Sequence, residues 1–247
     1  GEIDRAAGVV SLAANVPGFS GRVELGSAVS RSIGGARVMI DNDVRVGVLG
    51  EFHRGAGRPY TNMLGVWVGT GVGGGLVLEG ELHDGRGAAG EIGHAVVKEG
   101  GRRCSCGRRG CLEAYAGRAR MERRARKLAG RGRQTALFSI MEQRGRDHLS
   151  SGVYAHALKQ EDSLARELID DATWALGLGI ASAQNLLDLE AIIVGGGLGD
   201  RLGRPFVERI VEQMTPHLFA DDHPPAVLPT ELGDLAGAVG AAVLAGG

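Results

Sequence analysis

Two observations in the amino-acid sequence predict an α/β fold with a ligand cleft. Short runs of β-branched and apolar residues, typical of buried strands, alternate along the 247-residue chain with segments that have helical apolar spacing. Strands that alternate with helices imply an α/β architecture. Glycine-rich stretches follow two of the predicted strands, and loops at such positions favour a nucleotide cleft.

The first predicted elements surround a polar turn. Residues Arg37 to Asp41 are predicted to form a short buried strand that ends in Asp41-Asn42-Asp43, where polar side chains would face a cleft. A helix is predicted from Val44 to Arg54, and the glycine and proline residues between Gly55 and Thr61 indicate a hinge. We therefore expect a lobe boundary near Asn62, which gives two units, residues 1–61 and 62–247.

A glycine-rich hairpin is predicted next. A strand from Met63 to Val68 is interrupted by the run Gly69 to Gly75 and resumes at Leu76. The remaining predicted elements are, in order, helices at 112–129 and 163–187, a buried strand at 191–194, a helix from about residue 200, a short strand at 227–228 and a terminal helix at 237–244.

The composition excludes several classes of protein. With 43 glycines but only 7 prolines and no Gly-X-Y period, the chain is neither collagen-like nor a proline-rich disordered segment. The 28 basic residues nearly balance the 29 acidic ones, so whole-chain charge argues for no polyanionic partner. No apolar run reaches the roughly 18 residues that span a bilayer, and no secretion leader follows Gly1, so a cytoplasmic location without a membrane partner is expected.

The run Gly69 to Gly75 has two interpretations. Its backbone N–H groups are free of side-chain obstruction, and Thr70 adds a hydroxyl, which suits the phosphate oxygens of a nucleotide. Alternatively, a glycine-rich hairpin allows another backbone to approach closely. A second stretch, Gly195 to Gly197, ends an apolar strand in the same way and favours the nucleotide interpretation.

A cluster of metal-ligand residue types follows the hairpin. His94, Cys104, Cys106 and Cys111 have the spacing His-x9-Cys-x-Cys-x4-Cys, with glycines that supply turns. One nitrogen and three thiolates form a closed tetrahedral set for zinc, so the metal would be structural. The alternative is three buried or reactive thiols beside an unrelated histidine.

Carboxylates accompany this cluster. Glu91 and His94 are three residues apart and would share one face of a helical turn, and Glu113 follows the last cysteine by two residues. With Asp43 elsewhere, such oriented groups suit a polyhydroxylated ligand such as a sugar. Each acid alone could equally be a solvated surface group.

Five motifs resemble, in order and spacing, the ROK family of bacterial sugar kinases and sugar-responsive repressors. They are Asp41-Asn-Asp43, Gly69-Thr-Gly-Val-Gly-Gly-Gly75, Ala89-Gly-Glu-Ile-Gly-His94, Cys104-Ser-Cys-Gly-Arg-Arg-Gly-Cys-Leu-Glu113 and Gly195-Gly-Gly-Leu198. The resemblance covers nearly the whole chain. It implies an actin-like, ribonuclease-H-like fold of two lobes with an inserted zinc loop, assembled as a homodimer or homotetramer.

The resemblance also implies residue roles. Asp43 would be the catalytic base and would hold the sugar hydroxyls together with Asn42, Glu91, His94 and Glu113. ATP, bound with Mg²⁺, would meet Gly69, Thr70, Gly71 and Gly73 through its phosphates and Gly196 and Gly197 through its adenosine. A structural Zn²⁺ would be bound by His94, Cys104, Cys106 and Cys111.

Two departures from the family pattern stand out. After Asn42-Asp43 the family continues with small residues and another Asn, whereas this chain has Val44-Arg45, which could alter substrate choice. The opening Asp-x-Gly-Gly-Thr turn, which receives phosphate and magnesium in the family, does not occur in the sequence. We therefore expect an upstream part of the natural protein to complete the first lobe, on which the terminal helix could pack back.

The expected function is ATP-dependent phosphorylation of a hexose or N-acyl-hexosamine at its 6-hydroxyl. The alternative is a sugar-sensing repressor whose DNA-binding part lies upstream, but the intact Gly69 to Gly75 run favours the kinase. Residues 118–133 hold eight basic residues against one acid, yet Met121, Ala125 and Leu128 form an apolar stripe. This pattern indicates a solvated amphipathic helix rather than a nucleic-acid surface.

Overall fold

The N-terminal part of the chain forms a small sheet and two helices. The computed structural model describes residues 2–12, 18–220 and 222–246. Strands β1 (Glu2–Asp4) and β2 (Val9–Leu12) pair antiparallel, and helix α1 (Leu25–Ser32) follows them. Helix α2 (Asp43–Arg54) begins directly after the polar turn, as predicted within one residue.

A five-stranded mixed sheet forms the centre of the molecule. Its strands are β3 (Met63–Val68), β4 (Val72–Leu78), β5 (Glu81–His83), β6 (Ala191–Gly195) and β7 (Ala226–Pro229). The order is β5-β4-β3-β6-β7, with β3, β6 and β7 parallel and the β3-β4-β5 pairs antiparallel. The carboxyl ends of three parallel strands therefore meet at one edge, where α/β proteins place ligand sites.

Helices cover both faces of this sheet, which confirms the α/β prediction. The later helices are α3 (Glu113–Ala116), α4 (Arg118–Ala129), α5 (Leu137–Gln143), α6 (Ser151–Lys159), α7 (Ser163–Leu187), α8 (Gly196–Leu202), α9 (Arg204–Met214) and α10 (Ala236–Gly246). Side chains of β3 alternate between two cores: Leu64 and Val66 face the core that contains α7, and Met63 faces the core that contains α2. No helix in the described ranges has both the length and the apolar composition to cross a membrane.

Helix α2 lies between the sheet and α10 because glycines remove the side chains in its way. A Cβ on Gly75 would lie 2.9 Å from a methyl group of Val48, and a Cβ on Gly65 would overlap the same side chain. On the opposite face, a Cβ on Gly240 of α10 would overlap the carbonyl oxygen of Val46. The close approach places the N-terminus of α2 beside the start of β4.

The predicted strand from Arg37 to Asp41 is wrong. These residues have no regular structure, and no strand in the described ranges pairs with them. Met39 is 42% exposed, so the apolar run is not buried as expected. A run of suitable residues forms a strand only where a neighbouring strand supplies backbone partners, and the sequence pattern does not report that neighbour.

Several boundaries also differ from the predictions. Strand β4 begins at Val72 rather than Leu76, so Gly73 to Gly75 lie inside the sheet. The helix predicted from about residue 200 begins at Gly196, and Gly203, with a φ of 60°, separates α8 from α9. The sequence analysis missed β1, β2, α1, β5, α5 and α6, which are short elements with weak patterns.

Candidate functional site

The turn between β3 and β4 contains only part of the glycine-rich run. Gly69, Thr70 and Gly71 form it, and the Gly69 N–H donates to the Gly71 carbonyl at 2.9 Å. Gly73 pairs with Trp67 in the sheet, and a Cβ on Gly73 would lie 2.9 Å from a methyl group of Val44. Close packing therefore explains why residue 73 is a glycine. The turn itself has only one side chain, that of Thr70.

The turn is held by the start of helix α4. The backbone N–H groups of Arg118 and Ala119 donate to the carbonyls of Gly69 and Thr70, each at 3.1 Å. Gly117 has an extended backbone, with φ −68° and ψ 127°, so the helix is interrupted there. The N–H groups of the next two residues therefore do not continue α3. The single helix predicted over residues 112–129 is therefore wrong, and the break places a helix N-terminus against the turn.

The second glycine stretch lies beside the first. Gly195 pairs with Trp67 in the parallel β3–β6 ladder, so both stretches leave the same edge of the sheet. Gly196 has a φ of 79°, and a Cβ there would lie 2.7 Å from the backbone nitrogen of Val68. Only glycine fits this approach, and it brings Gly196 and the exposed Gly197 next to the turn.

The four predicted metal ligands converge. Their donor atoms, from His94, Cys104, Cys106 and Cys111, all lie within 4.8 Å of one another. The Cys104 Sγ lies 3.7 Å from His94 Nδ1, and the Cys106 Sγ lies 3.7 Å from the Cys111 Sγ. A tetrahedron with zinc bonds of about 2.0 to 2.3 Å has edges of roughly 3.6 to 3.8 Å, so the donor set fits zinc.

The three thiols differ in their environments. Burial raises the pKa of the Cys104 thiol and raises the pKa of Cys111 to about 12. Burial also acts to raise the pKa of Cys106, but hydrogen bonds from the Arg108 backbone and the neighbouring thiols outweigh it and lower that pKa. Burial therefore disfavours the thiolate form of Cys104 and Cys111, and a cation bound by the cluster would offset that cost and release the thiol protons.

Glu113 connects the metal loop to the turn. Its Oε2 accepts a hydrogen bond from the Val72 N–H at 3.1 Å, and its Oε1 accepts one from the Ser105 hydroxyl. A Cβ on Gly71 would overlap the Glu113 carboxylate, so the turn and this side chain are in contact. The residue predicted to hold a sugar hydroxyl therefore already receives donors from two parts of the site.

Glu91 and His94 approach the same point from another side. They flank a short 3-10 turn (Ile92–His94), and a Cβ on Gly93 would overlap the carbonyl of Val72. His94 directs its Nδ1 to the metal cluster, which leaves Nε2 for another partner. The Glu91 side chain is exposed.

Asn42 and Asp43 complete the constellation at the start of α2. The Asn42 Oδ1 accepts hydrogen bonds from the N–H groups of Val44 at 2.9 Å and Arg45 at 3.3 Å, so Asn42 caps the helix and keeps its amide donors for other partners. Asp43, the first helical residue, is exposed and borders a cavity of about 500 Å³ whose other walls are mainly apolar. Because Val44 contacts Gly73, the candidate residues gather around the start of β4.

A network of charges fixes this helix start, and sequence reasoning missed most of it. Buried Arg45 donates through Nε to Asp41 at 3.1 Å, through Nη1 to the His83 carbonyl at 2.9 Å and through Nη2 to Asp84. Arg5 forms ion pairs with the same two acids. The only sequence signal was the departure at Arg45, because the other partners come from distant segments.

The described residues thus define an α/β protein with a Cys3His cluster beside a glycine turn at the sheet edge. The ROK family model matches residues 1–247, and the chain belongs to the ROK family. The chain is 33% identical to a glucokinase of Thermotoga maritima over 87% of this chain and 68% of that one, and 37% identical to a glucokinase of Halalkalibacterium halodurans over 73% and 56%. It therefore spans 56 to 68% of the length of these curated relatives.

A solved structure confirms the fold assignment. The ROK glucokinase of Streptomyces griseus, in complex with glucose and AMPPNP, superposes with a TM-score of 0.84 at 31% identity over 99% of this chain and 78% of that one. The fold is thus that of the ROK sugar kinases. Relatives also include a kanosamine kinase of Amycolatopsis mediterranei, 33% identical over 91% of this chain and 68% of that one, and the transcriptional regulator NagC of Escherichia coli, 32% identical over 83% and 49%.

Proposed function

We propose that the protein is an ATP-dependent sugar kinase, which phosphorylates a hexose or N-acyl-hexosamine at its 6-hydroxyl. The glucokinase and kanosamine kinase relatives support kinase activity on a sugar. The glucose and AMPPNP bound to the Streptomyces griseus enzyme support a sugar and a nucleotide as the two ligands. The site residues are proposed from their family motifs and from the contacts described above.

The main support for the proposal is the difference in exposure and ion pairing between two aspartates. Asp41 has a side chain only 3% exposed and is ion-paired with Arg5 and Arg45, so its oxygens are already engaged. Asp43 is exposed, and no ion pair involves it within the described ranges. A general base needs a free oxygen within reach of the hydroxyl it deprotonates. We therefore assign Asp43 as the base that removes the proton from the 6-hydroxyl as that oxygen attacks the γ-phosphate.

Side chains around the start of β4 would hold the sugar. Asn42 has free amide donors, His94 has Nε2, and Glu91 and Glu113 offer carboxylate oxygens to sugar hydroxyls. Because Glu113 also contacts the turn, sugar binding and phosphate binding would share one support. Zinc held by His94 and the three cysteines would have a structural role, since a filled tetrahedral shell leaves no position for substrate.

The donor nucleotide would occupy the carboxyl edge of the sheet. Backbone N–H groups at Thr70 and Gly71 would meet its phosphates. Gly69, whose N–H donates to the Gly71 carbonyl, would close the turn, and Gly73 would support it from within β4. Gly196 and Gly197 would lie beside the adenosine. Mg²⁺ bound with ATP would neutralise charge on the transferred phosphoryl group.

The assembly, location and lobe division of the protein are proposed as well. We propose a homodimer or homotetramer in the cytoplasm and a lobe division at Asn62. A sugar-sensing repressor is the second candidate function, and the likeness to NagC favours it. The kinase is preferred because the turn at Gly69 to Gly71 is held in place by α4 and Glu113, and a repressor needs no such phosphate support.

The test compares two substitutions in the natural full-length protein. Asp43→Asn keeps side-chain shape but removes the base, so sugar-dependent ADP release should fall by about 10² to 10⁴ while sugar binding survives. Asp41→Asn should mainly reduce stability, because Asp41 is held by two arginines. Near-normal turnover in Asp43→Asn, or a larger loss in Asp41→Asn, would assign the base elsewhere. A wild-type protein that releases no ADP with any hexose but changes DNA binding with sugar would favour the repressor.

A further inference from the structure

Two side chains that contact the glycine stretches contain a buried polar atom without a partner, Arg118 beside Thr70 and Ser151 beside Gly197. In the described ranges, four buried side-chain atoms have no hydrogen-bond partner, and they belong to Arg118, Arg124, Ser151 and Tyr154. The Ser151 hydroxyl lies next to Gly197, 3.2 Å from the position of a Cβ there. Buried polar groups in folded proteins nearly always have a partner, so the unpartnered atoms of Arg118 and Ser151 point to a ligand near the two glycine stretches.

Of the two arginines in this group, Arg118 is the one that contacts the turn. It is the first residue of α4, and its Nη2 lies 3.4 Å from the Thr70 hydroxyl, while its Nε is buried. No described carboxylate forms an ion pair with it. Burial lowers the pKa of Arg118, opposed by nearby Tyr154. A cation at a helix N-terminus also opposes the helix dipole. The chain thus holds an uncompensated positive charge beside the turn.

We propose that Arg118 binds phosphate oxygens of the phosphoryl donor at the Gly69–Gly71 turn, an inference that rests on the proposed function. A guanidinium presents a planar pair of donors that matches two phosphate oxygens. An anion at the turn would compensate the charge of Arg118 and accept hydrogen bonds from the Nη groups of its guanidinium beside Thr70. The hydroxyl of Ser151 lies next to Gly197, where the nucleoside is proposed to bind.

Calorimetric titration of the natural full-length protein with AMPPNP and with adenosine tests this role. Arg118→Gln should weaken AMPPNP binding by about tenfold to a hundredfold, the range of a charge-assisted hydrogen bond, and should leave adenosine binding unchanged. Arg118→Lys restores a charge without the planar pair and should recover part of the loss. Arg123→Ala is the matched control, since Arg123 is exposed on the same helix and its loss changes the net charge equally.

Four results would overturn the proposal. Unchanged AMPPNP affinity in Arg118→Gln excludes the contact, and equal losses in Arg118→Gln and Arg123→Ala indicate a general charge effect. Equal losses for AMPPNP and adenosine in Arg118→Gln indicate a distorted cleft. If the wild type binds neither ligand, the proposed nucleotide site is wrong and so is this inference. If the wild type binds both ligands, the proposed nucleotide site stands, and the variants test the contribution of Arg118 by itself.

Discussion

The metal loop and the Asp43 segment are organised in opposite ways. The four metal donors come from residues 94–111 and meet through local turns. The Asp43 segment is held by Arg45 and by partners 36 to 39 residues away along the chain, Arg5 beside Asp41 and Asp84 beside Arg45. The metal loop should therefore depend on one ion, whereas the helix start depends on a distributed charge network.

The two regions nevertheless meet at Val72. Its N–H donates to Glu113 from the metal side, and its carbonyl contacts Gly93. The next residue, Gly73, contacts Val44 beside Asp43. Damage to either region can therefore reach the other, and variants in each should separate local from shared effects.

The largest effect is expected in the metal loop. Elemental analysis of the wild type should find about one zinc per chain, as one tetrahedral site requires. Cys106→Ser should lose the zinc, and with it thermal stability and sugar binding, because metal binding and local folding are coupled. Ser105→Ala, which changes the neighbouring residue but no ligand, should retain the metal. A wild type without zinc, together with normal sugar binding in Cys106→Ser, would contradict the metal assignment.

A smaller loss of stability is expected when Arg45, the central residue of the charge network, is replaced. Arg45→Met keeps the side-chain stem but leaves the buried Asp41 with Arg5 alone, which should lower the free energy of unfolding by about 2 to 4 kcal/mol. Arg5→Met should have a smaller effect, because the Arg5 side chain is 30% exposed and Arg45 remains. Urea unfolding of the two variants measures this. Equal losses would show that the network has no centre at Arg45, and zinc content should be unchanged in both.

The same contrast explains what the sequence could predict. The metal ligands could be identified because their spacing along the chain determines their meeting in space. The motif proposes Asp43 and Asn42 as site residues, but it does not indicate the residues that support them, since Arg5 and Asp84 approach only after the chain has folded. Sequence spacing contains no information on which distant charges will pair.

Glycine patterns show a related limit. The run from Gly69 to Gly75 looks uniform in sequence, yet three residues form a turn and the others lie in β4, where Gly73 contacts Val44 and Gly75 contacts Val48. Gly117 breaks a helix that apolar spacing predicted as continuous, because the turn accepts the next two N–H groups. In each case a neighbouring backbone decides the conformation, and local patterns do not report that neighbour.

The smallest effect on stability is expected at Asp84, the most exposed acid of the charge network. Hydrogen bonding from Arg5, helped by Arg45, lowers the pKa of Asp84 below its ordinary value of 3.8. A carboxyl whose folded-state pKa is depressed stabilises the fold above its unfolded pKa, and this stabilisation is lost as pH falls through the folded value. The Asp84 side chain is 47% exposed, so solvent screening should keep the contribution under about 1 kcal/mol.

Urea midpoints of the wild type and Asp84→Asn should therefore differ at pH 6 and converge toward pH 3. Any zinc that leaves the Cys3His cluster in acid should leave both proteins alike, so their difference reports Asp84. Asp147→Asn is the control, because the partner of Asp147 is the adjacent His148 and that pair needs no tertiary fold. A wild-type to Asp84→Asn difference that grows in acid would reverse the sign of the Asp84 contribution. It would then leave Asp41 and Arg45 as the part of the network that supports Asp43.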